Sequence, residues 1–232
     1  NMGLSWLQPH DPFPSPWNDA DPDPEVPGLL AISEDISAEQ LLRAYHQGIF
    51  PWYSDGQPIL WWSPNPRMVL RPKNFKVSKN FKKEIKNVLM DQDCATQARP
   101  DQDGTWITHA IMHAYSQIHE QGHAHSIEVF HQGQRVGGLY CVNLGKMVFG
   151  ESMFSKKTDA SKIALASLCA WAIDQDIEMI DCQQETAHLS SMGGYPIPRD
   201  EFLNHVREKT TAINPIWRFN KSVLQHWLSQ PT

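Results

Sequence analysis

The sequence predicts an α+β fold: a small N-terminal domain over residues 1–63, then a larger domain over residues 64–232. Three observations carry this expectation. Residues 126–130, 134–142 and 146–149 are short apolar-rich runs separated by the turn signals Gln132-Gly133 and Leu144-Gly145, the pattern of an antiparallel meander. Residues 160–173 are apolar or small at almost every position, the mark of a helix buried on nearly all sides. Residues 177–182 form a further short apolar run, so strand, buried helix and strand make a crossover.

Residues 11–28, DPFPSPWNDADPDPEVPG, are too rich in proline for helix or central strand and are predicted to wrap the surface. Residues 37–47 read as a helix with a Ser37–Gln40 capping box and Gly48 as its stop. The segment 48–67, GIFPWYSDGQPILWWSPNPR, carries Phe50, Trp52, Tyr53, Trp61 and Trp62 among four prolines. Such a loop is either a small core between two domains or a stacking platform for bases. The domain boundary is placed near Ser63-Pro64. Residues 78–90 read as a helix with Phe81 and Ile85 inward and its lysines outward, and 91–104 as a polar loop.

Residues 106–121 are helical by spacing, with Ile107, Ile111, Ala114 or Tyr115, and Ile118 on one face and Gly122 at the end. His109 and His113 stand four apart, but a zinc helix of the H-E-x-x-H kind needs Glu where this chain has Ala110, so no metal is expected. His123 and His125 are expected to make ordinary hydrogen bonds. Gly137-Gly138 inside the middle strand predicts a bulge or a close backbone approach. Past residue 182, Gly193-Gly194 marks a turn, Pro198 starts a helix to about 209, 216–219 suggests a last strand and 221–228 a last helix.

Nine tryptophans and 41% hydrophobic residues supply a sizeable core. The longest apolar run is far short of a membrane span, and the start has no basic-then-apolar signal. Cys94, Cys141, Cys169 and Cys182 form no C-x-x-C pair and read as reduced thiols, so a cytoplasmic protein is expected. The net charge of −6 hides an asymmetry. Residues 1–42 hold eight acids and no Lys or Arg, while residues 67–87 hold eight bases against Glu84 alone. Such a basic stretch is either a docking site for a polyanion or a solvated helix face.

The polar residues of the crossover fall where open sheets place their sites. Glu151 follows Gly150 after the meander's last strand, and Asp181 and Gln183 stand two apart, on one face if the strand reaches that far. An acid and an amide side by side can hold and polarise an amine nucleophile. The plainer alternative is that they end a strand and bond loop amides.

The order of helix, meander, buried helix and strand resembles that of a GNAT-like acyltransferase. The loop before the buried helix, Ser155-Lys156-Lys157-Thr158-Asp159, lacks the glycine that cradles coenzyme A, so another donor is expected. Three long blocks are more specific: GIFPWYSDGQPILWWSPNPR; GHAHSIEV through GGLYCVNLGKMVFGESMFSKKTDASKIAL; and IDCQQETAHLSSMGGYPIPRDEF. Together they closely resemble the leucyl/phenylalanyl-tRNA–protein transferases, over about residues 13–219. The resemblance implies transfer of Leu or Phe, with Met as a further candidate, from aminoacyl-tRNA to the N-terminal α-amino group of proteins beginning with Arg or Lys, a mark for N-end rule degradation.

It also implies site residues: Asp181 and Gln183 as the catalytic pair with Glu151 beside them; Trp52 and Trp106 stacking on the tRNA 3′-adenosine; Leu139, Val148, Leu165, Leu168 and Ile180 lining the side-chain pocket; and Lys79, Lys82, Lys83 and Lys86 on the tRNA backbone. The donor is already an activated ester, so no cofactor, metal or covalent intermediate is expected, only positioning, deprotonation of the amine and oxyanion stabilisation. Asp181 is expected to bond the attacking amine and orient Gln183. A monomer with no membrane partner is expected. Two alternatives remain from the residues: a GNAT-like transferase with another donor or acceptor, and a non-catalytic binder of tRNA 3′ ends.

Overall fold

The computed structural model describes residues 3–17, 21–54, 56–82, 94–97, 109–157, 159–219 and 221–230. Its described strands form two sheets. The small one has four strands: β1 (Ser5–Leu7), β2 (Leu29–Ser33), β3 (Phe50–Pro51) and β4 (Ile59–Trp62), in the order β1-β2-β4-β3. The large one has seven: β5 (Arg67–Leu70), β6 (Cys94–Gln97), β7 (Ala124–His131), β8 (Gln134–Leu144), β9 (Met147–Ser155), β10 (Ile180–Gln183) and β11 (Tyr195–Ile197), in the order β11-β5-β10-β9-β8-β7-β6. The helices are α1 (Ala38–His46), α2 (His109–Glu120), α3 (Ala160–Asp174), α4 (Ala187–Ser191), α5 (Arg199–Lys209) and α6 (Lys221–Ser229). This mixed α+β arrangement is the class the sequence predicted.

The segment 48–67 is more than a loop. Phe50, Tyr53 and Trp61 are buried, and Trp61 Nε1 donates to Ser33 Oγ at 2.9 Å. Phe13, from the Pro-rich N-terminal stretch, packs edge-on against Trp61 at 4.9 Å between centroids. The aromatic residues are thus mostly core, and Trp52 is the member that stays about half exposed. Helix α1 starts as expected: Ser37 Oγ accepts from the Gln40 backbone N–H at 3.1 Å, which satisfies one orphan donor. The return half of the capping box does not form, because the buried Gln40 amide has no partner.

The meander β7–β8–β9 is antiparallel throughout, and its strands run longer than the sequence suggested, β9 reaching Ser155. Successive residues along these strands alternate between two cores, and residues opposite one another share a core. Val142, Leu144, Met147 and Phe149 face α1, α2 and the small sheet. Ile127, Val129, Leu139, Cys141 and Val148 face α3. Helix α3 is buried at nearly all positions from Ala160 to Ala172 and leads to β10, which pairs parallel to β9 with Ile180 opposite Val148. Each Leu or Ile removed from water in such a place contributes about 1.5–3 kcal/mol. Asp159 caps α3 in a left-handed conformation without a side-chain bond, and Thr158 lies outside the described residues.

Three expectations need correction. Residues 91–104 are not all loop, since Cys94–Gln97 pairs with β7 as the edge strand. Residues 216–219 form no strand; they run as irregular chain, with the Trp217 ring stacked on His125 at 4.2 Å. The strand expected from residue 177 begins only at Ile180. Of the helix expected over 78–90, residues 83–90 lie outside the described residues.

Gly137 is a packing requirement. A Cβ there would stand 2.5 Å from the Ala160 Cβ, at the first turn of α3. Gly137→Ala is therefore expected to destabilise the protein by about 1–3 kcal/mol through overpacking. Urea unfolding beside wild type measures this, and a loss below experimental error would mean that α3 can shift freely on the sheet.

Candidate active site

Strand β10 ends on a buried ion pair. Arg67 opens β5 and is fully buried. Its Nε donates to Asp181 Oδ1 at 2.8 Å and its Nη2 to Asp181 Oδ2 at 2.7 Å, a bidentate fork. Nη1 donates to the Gly48 carbonyl at 2.9 Å, and the guanidinium lies over the Phe50 and Phe202 rings at 4.8 and 4.3 Å. Asp181 Oδ1 also accepts the Gln183 backbone N–H at 2.9 Å. Both carboxylate oxygens of Asp181 are thus engaged, and its side chain is buried.

The expected sharing of one strand face by Asp181 and Gln183 does not occur. The pairing of β10 with β5 slips between them, and Gln183 adopts φ 66°. A non-glycine residue there costs on the order of 1 kcal/mol and persists only where its surroundings fix it. The Asp181 bond to its backbone N–H is one such restraint. The turn sends the Gln183 side chain to Glu151, where Nε2 donates to Oε1 at 3.3 Å.

Glu151 was expected in a loop after the strand. It instead lies within β9 as the extra residue of a bulge: Cys141 pairs with Gly150 and Tyr140 with Ser152, leaving Glu151 without an opposite number. A bulge re-aims a side chain, here toward two tyrosines. Tyr45 from α1 donates to Oε1 at 2.5 Å and Tyr115 from α2 to Oε2 at 2.8 Å, and the two hydroxyls also touch each other. Burial lifts the Glu151 carboxyl to about 8, with help from the nearby Asp181 charge, against the hydrogen bonds of Tyr45, Tyr115 and Gln183. Burial beside Glu151 likewise raises both phenols well above their ordinary value.

A cavity of about 140 Å³ adjoins this cluster. Leu139, Leu165, Leu168, Ile180 and Leu189 supply apolar walls, while Glu151, Asp181 and Gln183 also contribute to the lining. Four of the five expected pocket residues are there. Val148 is not: it is fully buried behind Ile180, its partner across the parallel pair. Trp52 does not line the cavity; it sits tilted at 6.1 Å from Trp62 on the small sheet. Trp106, Lys83 and Lys86 lie outside the described residues. Lys79 is exposed, whereas Lys82 is half-buried, donates to the Gln230 carbonyl at 3.1 Å and lies 4.8 Å over the Trp227 ring.

Sequence reasoning missed Arg67, Tyr45 and Tyr115 as members of the site. A signal existed for each. Arg67 opens the otherwise apolar strand Arg67–Leu70, and a strand arginine between apolar faces needs a buried anion. Tyr45 and Tyr115 lie on the buried faces of α1 and α2, where a phenol needs a hydrogen-bond partner.

Comparison with known proteins gives a consistent result. The family model for leucyl/phenylalanyl-tRNA protein transferase matches residues 66–207, and that for the family's N-terminal domain matches residues 34–65. The leucyl/phenylalanyl-tRNA–protein transferase of Ralstonia pickettii (strain 12J) is 55% identical, with 97% of each chain covered. That of Cupriavidus necator is also 55% identical, with 98% of each covered. That of Burkholderia vietnamiensis is 52% identical, covering 95% of this chain and 93% of its own. Among solved structures, that of L-PGS from Bacillus licheniformis is similar with a TM-score of 0.37 and 12% identity, covering 70% of this chain and 57% of that one.

Removing one partner of a buried pair strands the other charge. Arg67→Met is expected to cost about 3–5 kcal/mol, and the double replacement Arg67→Met with Asp181→Leu to cost less than the single. Denaturant unfolding of both variants decides it. A single variant no worse than the double would mean that the pair does not secure β10.

Proposed function

The chain belongs to the leucyl/phenylalanyl-tRNA–protein transferase family and is an aminoacyltransferase; from that premise we propose how its cavity carries out the transfer. The apolar cavity receives the Leu or Phe side chain of the aminoacyl ester, with Met as a further candidate. The acceptor is the N-terminal α-amino group of a protein beginning with Arg or Lys. The observation that carries this reading is a single one: an apolar hole lined by Leu139, Leu165, Leu168 and Ile180, with the Gln183 amide and the Glu151 carboxyl beside it.

The chemistry asks little of the protein beyond placement. The ester carbonyl is the electrophile, and an α-amino group with a pKa near 8 is partly neutral at physiological pH. Gln183 is the catalytic residue of this reading, bonding the attacking amine. Asp181 acts through Gln183, since its own oxygens are taken by Arg67 and the Gln183 backbone. It is a positioning residue. Trp52 stacks on the terminal adenosine together with Trp106. Lys79 and the basic stretch around it meet tRNA phosphates, Lys82 contributing from its seat beside Trp227. Residues 1–63 form a small N-terminal domain and 64–232 the catalytic one, and the protein works as a cytoplasmic monomer. No described helix is long and apolar enough to cross a membrane.

The direct test is transfer of radiolabelled Leu from Leu-tRNA to a peptide beginning with Arg. Label retained only on bound tRNA would indicate a binder, and absence of both would indicate another donor. In this assay Gln183→Ala is expected to lower kcat about 10²-fold or more, with the KM for aminoacyl-tRNA little changed. A kcat within twofold of wild type would remove Gln183 from the chemistry.

For Trp52→Ala the expected loss is about 1–3 kcal/mol of donor binding, with whole tRNA and with a minimal aminoacyl-adenosine donor alike. A loss seen with tRNA and absent with the minimal donor would make Trp52 structural.

A further inference from the structure

The hydroxyl groups around Glu151 pose a question of proton number. Three oxygen–oxygen contacts close a ring: Tyr45 with Glu151 Oε1, Glu151 Oε2 with Tyr115, and Tyr115 with Tyr45. Each contact needs one hydrogen. The two phenols bring one each. If Glu151 is ionised, two hydrogens serve three contacts, and two oxygens face each other in a buried place with nothing between them. A protonated carboxyl supplies the third hydrogen and every contact closes.

We propose that Glu151 carries a proton in the resting site, that Tyr45 and Tyr115 are positioning residues that close its ring of contacts, and that the Gln183 amide, donating to Oε1, leaves this proton on Oε2. The consequence lies in the Gln183 amide. With its hydrogen on Oε2, the Tyr115 contact runs from Glu151 to the phenol, the reverse of the donation an ionised carboxylate would receive, and Oε1 is purely an acceptor. It takes the Tyr45 hydroxyl and the Gln183 Nε2, which fixes the amide with its nitrogen toward Glu151 and its carbonyl oxygen free for the substrate. A proton on Oε1 would compete for the amide oxygen and reverse the amide. Resting on the transfer reading above, the role of this oxygen is to accept an N–H of the attacking amine. The amine lone pair then forms the C–N bond, the ester C–O bond breaks with its electron pair on the ribose oxygen, and the amine proton ends on that oxygen. The Glu151 proton is retained throughout.

The groups that face Glu151 agree. Burial is the main cause of its raised value of about 8, and Asp181 on β10 raises it further, although Arg67 is paired with that acid. Tyr45 comes from α1, Tyr115 from α2 with Tyr53 facing it, and Cys141 from β8, itself kept protonated by burial. Hydrogen bonds from the phenols favour the ionised form, but the contact between the two phenols, left without a hydrogen when both donate to Glu151, opposes it. Burial retains the proton.

Two measurements test this on the intact protein. The first is infrared difference spectroscopy of carbon-13-glutamate protein against its Glu151→Gln variant. A carboxylic-acid band at pH 7 that disappears as pH rises through about 8 is expected; a carboxylate band at pH 7 overturns the proposal. The second is kcat against pH for Leu transfer to an Arg peptide. Wild type should lose activity on the alkaline side. Tyr45→Phe and Tyr115→Phe should lower kcat about tenfold or more with KM nearly constant. They should also move the alkaline limb, because the ring of contacts around the carboxyl is opened. Glu151→Gln should abolish that limb. An alkaline limb unmoved in both phenylalanine variants and still present in Glu151→Gln overturns the proposal. Should wild type transfer nothing, the reaction reading falls while the infrared result still decides the proton.

Discussion

The Arg67–Asp181 fork is the interaction on which the rest of the site depends. One guanidinium reaches the loop after α1 through Gly48, the end of the small sheet through Ser63, and β10 through Asp181. Two aromatic rings from different parts of the chain enclose it, Phe50 before and Phe202 after. A buried pair of this kind is weak evidence for net stability, because desolvation offsets much of the attraction. Its effect is geometric. With five donors in a rigid plane, arginine fixes the carboxylate, and the carboxylate in turn fixes the backbone of Gln183.

Two local departures from regular strand geometry then turn side chains toward one point. The β9 bulge frees Glu151 from the ladder, and the left-handed turn at Gln183 breaks the alternation of β10. Each departure has a restraint nearby. A side chain on Gly150 would stand 2.9 Å from the Asp181 carbonyl, so the backbones of β9 and β10 leave no room for one where both irregularities sit. The tyrosines arrive from helices on the opposite face, so the acid is enclosed by α1, α2 and the sheet together.

The proposed site asks for little beyond placement. The donor ester brings the activation with it, and the amine needs only modest help to react. On the proposed reading, a polar cluster at an apolar cavity orients hydrogen bonds without presenting an unpaired charge to the apolar side chain of the donor. The lysines are a separate matter. Lys82 is already held against α6, which restricts how far its charge can reach.

The sequence by itself determined the elements whose signals are periodic or local. The meander, the buried helix, the Ser37 cap and the helix after Pro198 follow from alternation, apolar runs and capping chemistry, which act over a few residues. The long matching blocks also fixed the family, and with it Glu151, Asp181 and Gln183 as residues of interest. Only the tertiary structure decided how these three stand. Regular alternation put Asp181 and Gln183 on one face, but the register slip and the positive φ at Gln183 stand beside the pairing of Asp181 with Arg67, 114 positions away. The Glu151 partners are likewise remote, 106 and 36 positions away. The strands β3 and β4 were hidden among prolines because they pair with each other and with β2 rather than following a pattern of their own. Contacts between distant segments set a side chain's direction and protonation, and no window along the chain contains both partners.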